Sequence, residues 1–182
     1  MIPSVAPPVA IGRARASMNL VTNGAFATNA TGWTADVTRT LASNDGLTAP
    51  YGSYVGKTTT GAGANQACSG FTVTGLTIGV TYTVSRWFYR SEASAQLTFR
   101  VRNAANNGSL ASQDVPLATG WHYLTLTFVA DGTSHIVNVN RVPATVVVFY
   151  ATTFQCEAGP AATPYVHTDG AAASRRALKW VA

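Results

Sequence analysis

Seven carboxylates, three histidines and two cysteines are spread along this chain of 182 residues. Glycosidic hydrolysis needs two carboxyl groups facing each other across a cleft. Asp45, Glu92, Asp131 and Asp169 fall in stretches that read as turns, where acids are common for local hydrogen-bonding reasons. No pair stands out among the seven. A nucleophile–base arrangement needs a His oriented by an acid. His122 and His135 lie in strand-like runs and His167 in the C-terminal segment, none near a GxSxG-type elbow. Zinc-ligand spacing is absent as well. The residue types therefore point away from catalysis and away from a bound metal.

What these residues can do is stack and hydrogen-bond. Sugar recognition needs only aromatic rings against pyranose faces and planar polar groups for the hydroxyls. The richest stretch is Val80 to Arg90, VTYTVSRWFYR, the longest β-branched and aromatic run without Gly, Pro, Asn or Asp. With period two, Tyr82, Val84, Arg86 and Phe88 share one face, and Thr83, Ser85, Trp87 and Tyr89 the other. Bulk on both sides places this strand in the middle of a sheet, with one side on the core and the other lining a groove or contact surface.

Two further runs alternate in the same way. Leu97, Phe99 and Val101 face inward, leaving Gln96, Thr98, Arg100 and Arg102 outward. Leu124, Leu126 and Phe128 face inward, with Tyr123, Thr125 and Thr127 opposite and Trp121 at the strand's start. If these three strands share a sheet, its outer face carries Trp87, Tyr89, Arg100, Arg102 and Tyr123. That set suits a glycan platform, and it suits a protein interface equally well, because Trp, Tyr and Arg are enriched at such anchors. Plain packing of Trp87 and Trp121 is the third reading.

The elements that must position these residues are all strands. Short β-rich runs are expected at about 19–26, 33–41, 54–59, 67–74, 81–90, 95–103, 109–115, 122–130, 135–141 and 146–157. Turn-rich separators divide them, no helical periodicity exceeds a turn or two, and no internal repeat is visible. This pattern predicts an all-β, antiparallel two-sheet sandwich of the jelly-roll type. Only 10% of residues are charged, against roughly a quarter in an ordinary soluble domain, so the surface is neutral and polar.

Charge divides the chain into a body and two ends. All seven acids, and seven of the twelve bases, lie between Met18 and Gly170, so the body is formally neutral. The net charge of +5 therefore resides in Arg13 and Arg15 in front and in Arg175, Arg176 and Lys179 behind. Residues 1–17 read as a Pro-stiffened arm, 18–157 as the sandwich and 158–182 as a tail whose RRALKWVA end carries Trp180 as an anchor. Basic ends on a neutral body suit docking on an acidic partner, and they also suit solvated tails. Five bases in two tails, without a reader motif, make a poor nucleic-acid footprint. No apolar run approaches the roughly 20 residues that span a bilayer. The N-terminus lacks a cationic region followed by a long apolar run, so no signal peptide is expected. Cys68 and Cys156 then default to reduced, buried thiols.

NLVTNGAF (19–26), GW (32–33), FTVTGLTIGVTYTVSRWFYR (71–90), GWHYLTLTF (120–128) and FQCEAGPAATPYVHTDG (154–170) occur in an order and spacing that carry a resemblance. From about Asn19 to Gly170 the chain resembles the carbohydrate-binding-module-like jelly rolls of bacteriophage virion proteins, minor tail or decoration proteins among them. The resemblance implies a non-enzymatic virion accessory protein. It would be assembled in the host cytoplasm, oligomeric, partnered by capsid or tail proteins and able to bind a cell-wall glycan. A purely structural decoration or joining protein held by its arms is the alternative. A secreted glycosidase module fits less well. Relatives often carry acids after the NG-x-F turn and on the last strand that contribute to a structural calcium site. Here those positions are Ala27 and Thr152, so no cofactor is expected, although Glu157 or main-chain carbonyls would be the remaining ligands for calcium.

Overall fold

The computed structural model describes residues 17–26, 32–34, 39–42, 44–60, 67–93, 96–142, 146–168 and 172–175. Twelve strands are present among them. They are β1 (Ser17–Asn19), β2 (Trp33–Thr34), β3 (Arg39–Ala42), β4 (Val55–Thr59), β5 (Ala67–Thr74) and β6 (Thr81–Arg90). The second half adds β7 (Gln96–Arg102), β8 (Ser109–Asp114), β9 (Gly120–Val129), β10 (Ser134–Val142), β11 (Val148–Ala158) and β12 (Ala173–Arg175). One sheet runs β2-β5-β10-β7-β8 and the other β3-β4-β11-β6-β9, and every strand pair is antiparallel. A separate ribbon joins β1 to β12. The expected all-β jelly-roll sandwich is the observed fold.

Period-two alternation builds the core between the sheets. Phe71, Val73, Val137, Val139, Leu97, Phe99 and Val101 come from the first sheet. Tyr82, Val84, Phe88, Leu124, Leu126, Phe128, Phe149, Ala151 and Phe154 come from the second. The strand Thr81–Arg90 is flanked by β11 and β9, as its two bulky faces require. Its inward face also carries Arg86, only 2% exposed. The Arg86 guanidinium lies 4.2 Å from the centre of the Trp33 ring, and the rings of Phe26, Phe88 and Phe154 lie within 5.8 Å. A cation on the core face is thus housed in an aromatic cage.

Two of the expected strands are redrawn. The run 19–26 is strand only to Asn19, then turns. Asn19 is buried and its side chain replaces a ladder. It donates to the carbonyls of Phe154 and Val166 and accepts from the amides of Val21 and Cys156. Such local side-chain bonds offer the backbone an alternative to sheet pairing. The run 33–41 is not one strand either. Trp33–Thr34 pairs with β5, whereas Arg39–Ala42 pairs with β4 in the opposite sheet.

An irregularity in β11 sets the phase of everything that follows. The register shifts between Thr152 and Gln155, with Thr153 at φ 53°. One extra residue in a strand re-aims the side chains beyond it. Phe154 therefore enters the core, while Gln155 and Glu157 emerge on the outer face. Gly24 approaches this bulge so closely that a Cβ there would lie 2.1 Å from the Phe154 carbonyl oxygen.

Candidate functional site

Strand register on the outer face of β3-β4-β11-β6-β9 sets side chains in rows. Tyr150, Tyr89 and Trp121 lie abreast on β11, β6 and β9, and Thr152, Trp87 and Tyr123 form the next row. Gln155, Ser85 and Thr125 follow, then Glu157, Thr83 and Thr127. The rings form one cluster. Ring centres are 5.2 Å apart for Trp87 and Tyr123, 5.3 Å for Tyr89 and Trp121, 6.0 Å for Tyr89 and Tyr150, and 6.5 Å for Trp87 and Trp121.

Two loops cross this face. Residues 44–54 lie over the first row: Asp45 accepts from Lys57 at 2.9 Å and from the Tyr150 hydroxyl at 2.7 Å, and Trp121 Nε1 donates to the Thr48 carbonyl at 3.0 Å. Thr152 Oγ1 donates to the Tyr54 carbonyl as the loop returns. Residues 159–168 cover the last rows. Thr83 donates to the Gly159 carbonyl and Thr127 to that of Pro160. Beneath this second loop Glu157 is buried, 1% exposed. One of its carboxylate oxygens accepts from Gln155 Nε2 at 2.6 Å and from the Thr163 amide at 2.7 Å, and the other from the Thr163 hydroxyl at 2.7 Å. Gln155 Oε1 in turn accepts from the Val166 amide at 2.7 Å.

Between the loops remains a cleft of about 330 Å³. Ser85, Trp87 and Tyr123 line it from the sheet, Pro50 and Tyr51 from one loop, Thr163, Pro164 and Tyr165 from the other, and Thr153 from the bulge. The loops meet where the rings of Tyr51 and Tyr165 make an edge contact at 5.1 Å. Tyr123, on the edge strand β9, is 43% exposed. Every described lining residue is uncharged. Aromatic faces with hydroxyls and no formal charge suit a neutral polyhydroxylated ligand rather than an ion.

Electrostatics serve the loops. Hydrogen bonds from Lys57, then from Tyr150, hold the Asp45 carboxyl below its usual range. The stability this contributes is present above the ordinary carboxylate range and is lost as pH falls through the lowered value. Burial pushes the Cys156 thiol from 9.0 up to about 12, and burial likewise pushes the Tyr165 hydroxyl from 10.0 up to about 12. Both groups stay protonated in the fold when the unfolded chain would ionise, so the stability they contribute is full below pH 9 and falls as pH rises from about 9 to about 12. Thermal unfolding across that range is expected to show a flat melting temperature to pH 9 and a decline above it. In a Cys68→Ser background, Cys156 should react with a thiol reagent at pH 8 only after denaturation.

Trp87, Tyr89, Trp121 and Tyr123 thus come together as anticipated, but Arg100 and Arg102 do not join them. Strand β7 pairs with β10 and β8 in the opposite sheet, because its Val/Phe/Leu face is one wall of the core and its arginines point away from the aromatic face. There Arg100 donates to Asn138 at 2.8 Å, and Arg102 engages Asn106. Trp121 bonds the first loop and Tyr89 packs between Trp121 and Tyr150, and neither lines the cleft. His135 lies 3.4 Å from Asp131 but is buried against Phe128 and the Arg102 carbonyl, outside the cleft. Arg175 contributes its backbone to β12, and Arg13, Arg15, Arg176, Lys179, Trp180 and Ala27 lie outside the described residues. Sequence reasoning missed both walls. Their shared signal is a Pro-Tyr pair, Pro50-Tyr51 in one loop and Pro164-Tyr165 in the other.

No protein-family model and no curated protein matches the chain in sequence. Solved structures match in shape. The CBM22-1 xylan-binding domain from Paenibacillus barcinonensis is 19% identical with a TM-score of 0.57, covering 80% of this chain and 94% of that one. A family 61 carbohydrate-binding module in complex with β-1,4-galactotriose is 18% identical with a TM-score of 0.55, covering 76% of this chain and 97% of that one. The enzymatically active domain of tailspike protein 4 of bacteriophage CBA120 is 18% identical with a TM-score of 0.59, over 77% of this chain. The match spans only 21% of that tailspike chain. At such identities the likeness establishes the fold, a jelly-roll β-sandwich shared with carbohydrate-binding modules.

Proposed function

We infer that this is a non-enzymatic glycan-binding sandwich whose cleft holds a neutral saccharide against Trp87 and Tyr123. The observation that carries the reading is the cleft itself: two aromatic side chains from paired strands between two tyrosine-bearing walls, with no charged residue among the described lining. Binding modules of the same fold support it, including one described as xylan-binding and one holding a galactotriose. Carriage on a bacteriophage particle, as an accessory tail or decoration protein that meets host-surface glycan, is the biological setting we favour. The order of the resembling segments and the tailspike neighbour support that setting. The basic ends then dock on virion proteins, and the protein assembles with the symmetry of the particle.

One observation favours the purely structural reading. Ile78 and Val129 are 63% and 55% exposed, on the 75–80 turn and on the end of β9 just before Ala130, to which that turn bonds. Exposed aliphatic side chains at one end of a sandwich suit a protein partner. Affinity electrophoresis through gels containing neutral polysaccharides, beside co-sedimentation with particles lacking the protein, separates the readings. Retardation in a polysaccharide gel supports glycan binding. Co-sedimentation without retardation in any gel leaves the structural role alone.

A further inference from the structure

Thr153 departs from its surroundings in three ways. It is a β-branched residue at φ 53°, a region that costs such residues about 1 kcal/mol or more. It is 2% exposed and lines the cleft. Its hydroxyl has no hydrogen-bond partner among the described residues, although buried hydroxyls almost always have one. A buried hydroxyl without a protein partner costs about 1–3 kcal/mol, and a partner arriving with a ligand recovers that cost.

Its place in the cleft says which part of a ligand would arrive. Thr153 belongs to β11, and Trp87 and Tyr123 extend from it across β6 to the edge strand β9. The edge contact between Tyr51 and Tyr165 joins the two walls, and Tyr165 reaches toward Gly24 beside the bulge that holds Thr153. The cleft is therefore closed on the β11 side and open over the exposed Tyr123. The rows beyond Ser85 are filled by residues 159–166, so the sheet offers no exit in that direction. Tyr51, 49% exposed, is the wall with freedom to give way.

We propose that the cleft receives the end of a neutral glycan chain, with Thr153 Oγ1 hydrogen-bonding a hydroxyl of the terminal sugar and Trp87 and Tyr123 carrying the units behind it. This rests on the glycan reading above and adds the mode of binding. A site that holds only a chain end gains little from further units, whereas an open groove gains with each unit it contacts.

The test is calorimetric titration of the full chain with xylotriose, xylohexaose and β-1,4-galactotriose, for the wild type, Thr153→Val and Trp87→Ala. The expected result is binding in which xylotriose and xylohexaose differ by less than about threefold. Thr153→Val should weaken it roughly tenfold, the value of one buried hydrogen bond. The same variant should keep or raise the melting temperature, since it removes an unbonded polar group and retains the side-chain shape. Affinity that rises more than about tenfold from three units to six overturns the inference. So does wild-type binding by Thr153→Val while Trp87→Ala abolishes it; in both cases the glycan reading stands. No heat with any of the three sugars overturns both.

Discussion

Replacing Trp87 with alanine should abolish measurable glycan binding while leaving the sandwich folded. The indole is the largest flat surface in the cleft. It is held 5.2 Å from Tyr123 and braced edge-on by Trp121 at 6.5 Å, so its orientation is set before a ligand arrives. Truncating a central aromatic anchor of a binding site costs about 2 kcal/mol or more, which is roughly 30-fold or more in affinity. Trp87→Phe should retain part of the binding because a stacking face remains. Tyr89→Ala provides the contrast. Its ring packs between Trp121 and Tyr150 under residues 44–54, so its loss should lower the melting temperature more than it lowers affinity. Equal affinity losses in Trp87→Ala and Tyr89→Ala would mean that the cleft is not the site.

The second large effect should come from Glu157→Ala. This carboxylate accepts three hydrogen bonds beneath the loop 159–168, one from Gln155 and two from Thr163. Removing it takes away the acceptor shared by the Thr163 amide and hydroxyl and cuts the tether of the wall that carries Pro164 and Tyr165, while Gln155 Nε2 keeps the Thr163 carbonyl at 3.3 Å. At about 1 kcal/mol net for each of the three hydrogen bonds to the carboxylate, the loss should be about 3 kcal/mol. For a domain of this size that lowers the melting temperature by roughly 10 °C. Amide exchange should accelerate over 159–168 before it does in the core strands. Glu157→Gln should recover about half of the loss, because an amide supplies one acceptor oxygen in place of two. A melting temperature within 2 °C of wild type in Glu157→Ala would contradict the tether.

The parts of this architecture that were legible in the sequence are those governed by local alternation. Thr81–Arg90, Gln96–Arg102 and Gly120–Val129 announce their inward faces because each residue's side is fixed by its neighbours' spacing. Which sheet a strand joins is decided by long-range pairing that spacing does not encode. Alternation alone therefore allows Arg100 and Arg102 beside Trp87, whereas pairing with β10 and β8 puts them in the opposite sheet. The stretch 19–26 failed for another reason: the buried Asn19 side chain takes over main-chain bonding there. The walls were illegible because loops carry no periodicity. Only after folding does Asp45 find Lys57 and Tyr150, or Thr163 find Glu157, and only then do the two Pro-Tyr pairs face each other across the cleft.

The most direct test of the central claim is a two-dimensional ¹H–¹⁵N NMR titration with xylohexaose and, separately, β-1,4-galactotriose. Saturable shifts are predicted at the Trp87 indole and at the amides of Tyr51, Tyr123, Thr153 and Thr163, with Arg100, Arg102 and Asn138 on the other sheet unmoved. Saturable shifts centred on Arg100 and Asn138, or no saturable shift with either sugar, would contradict a glycan site in the cleft.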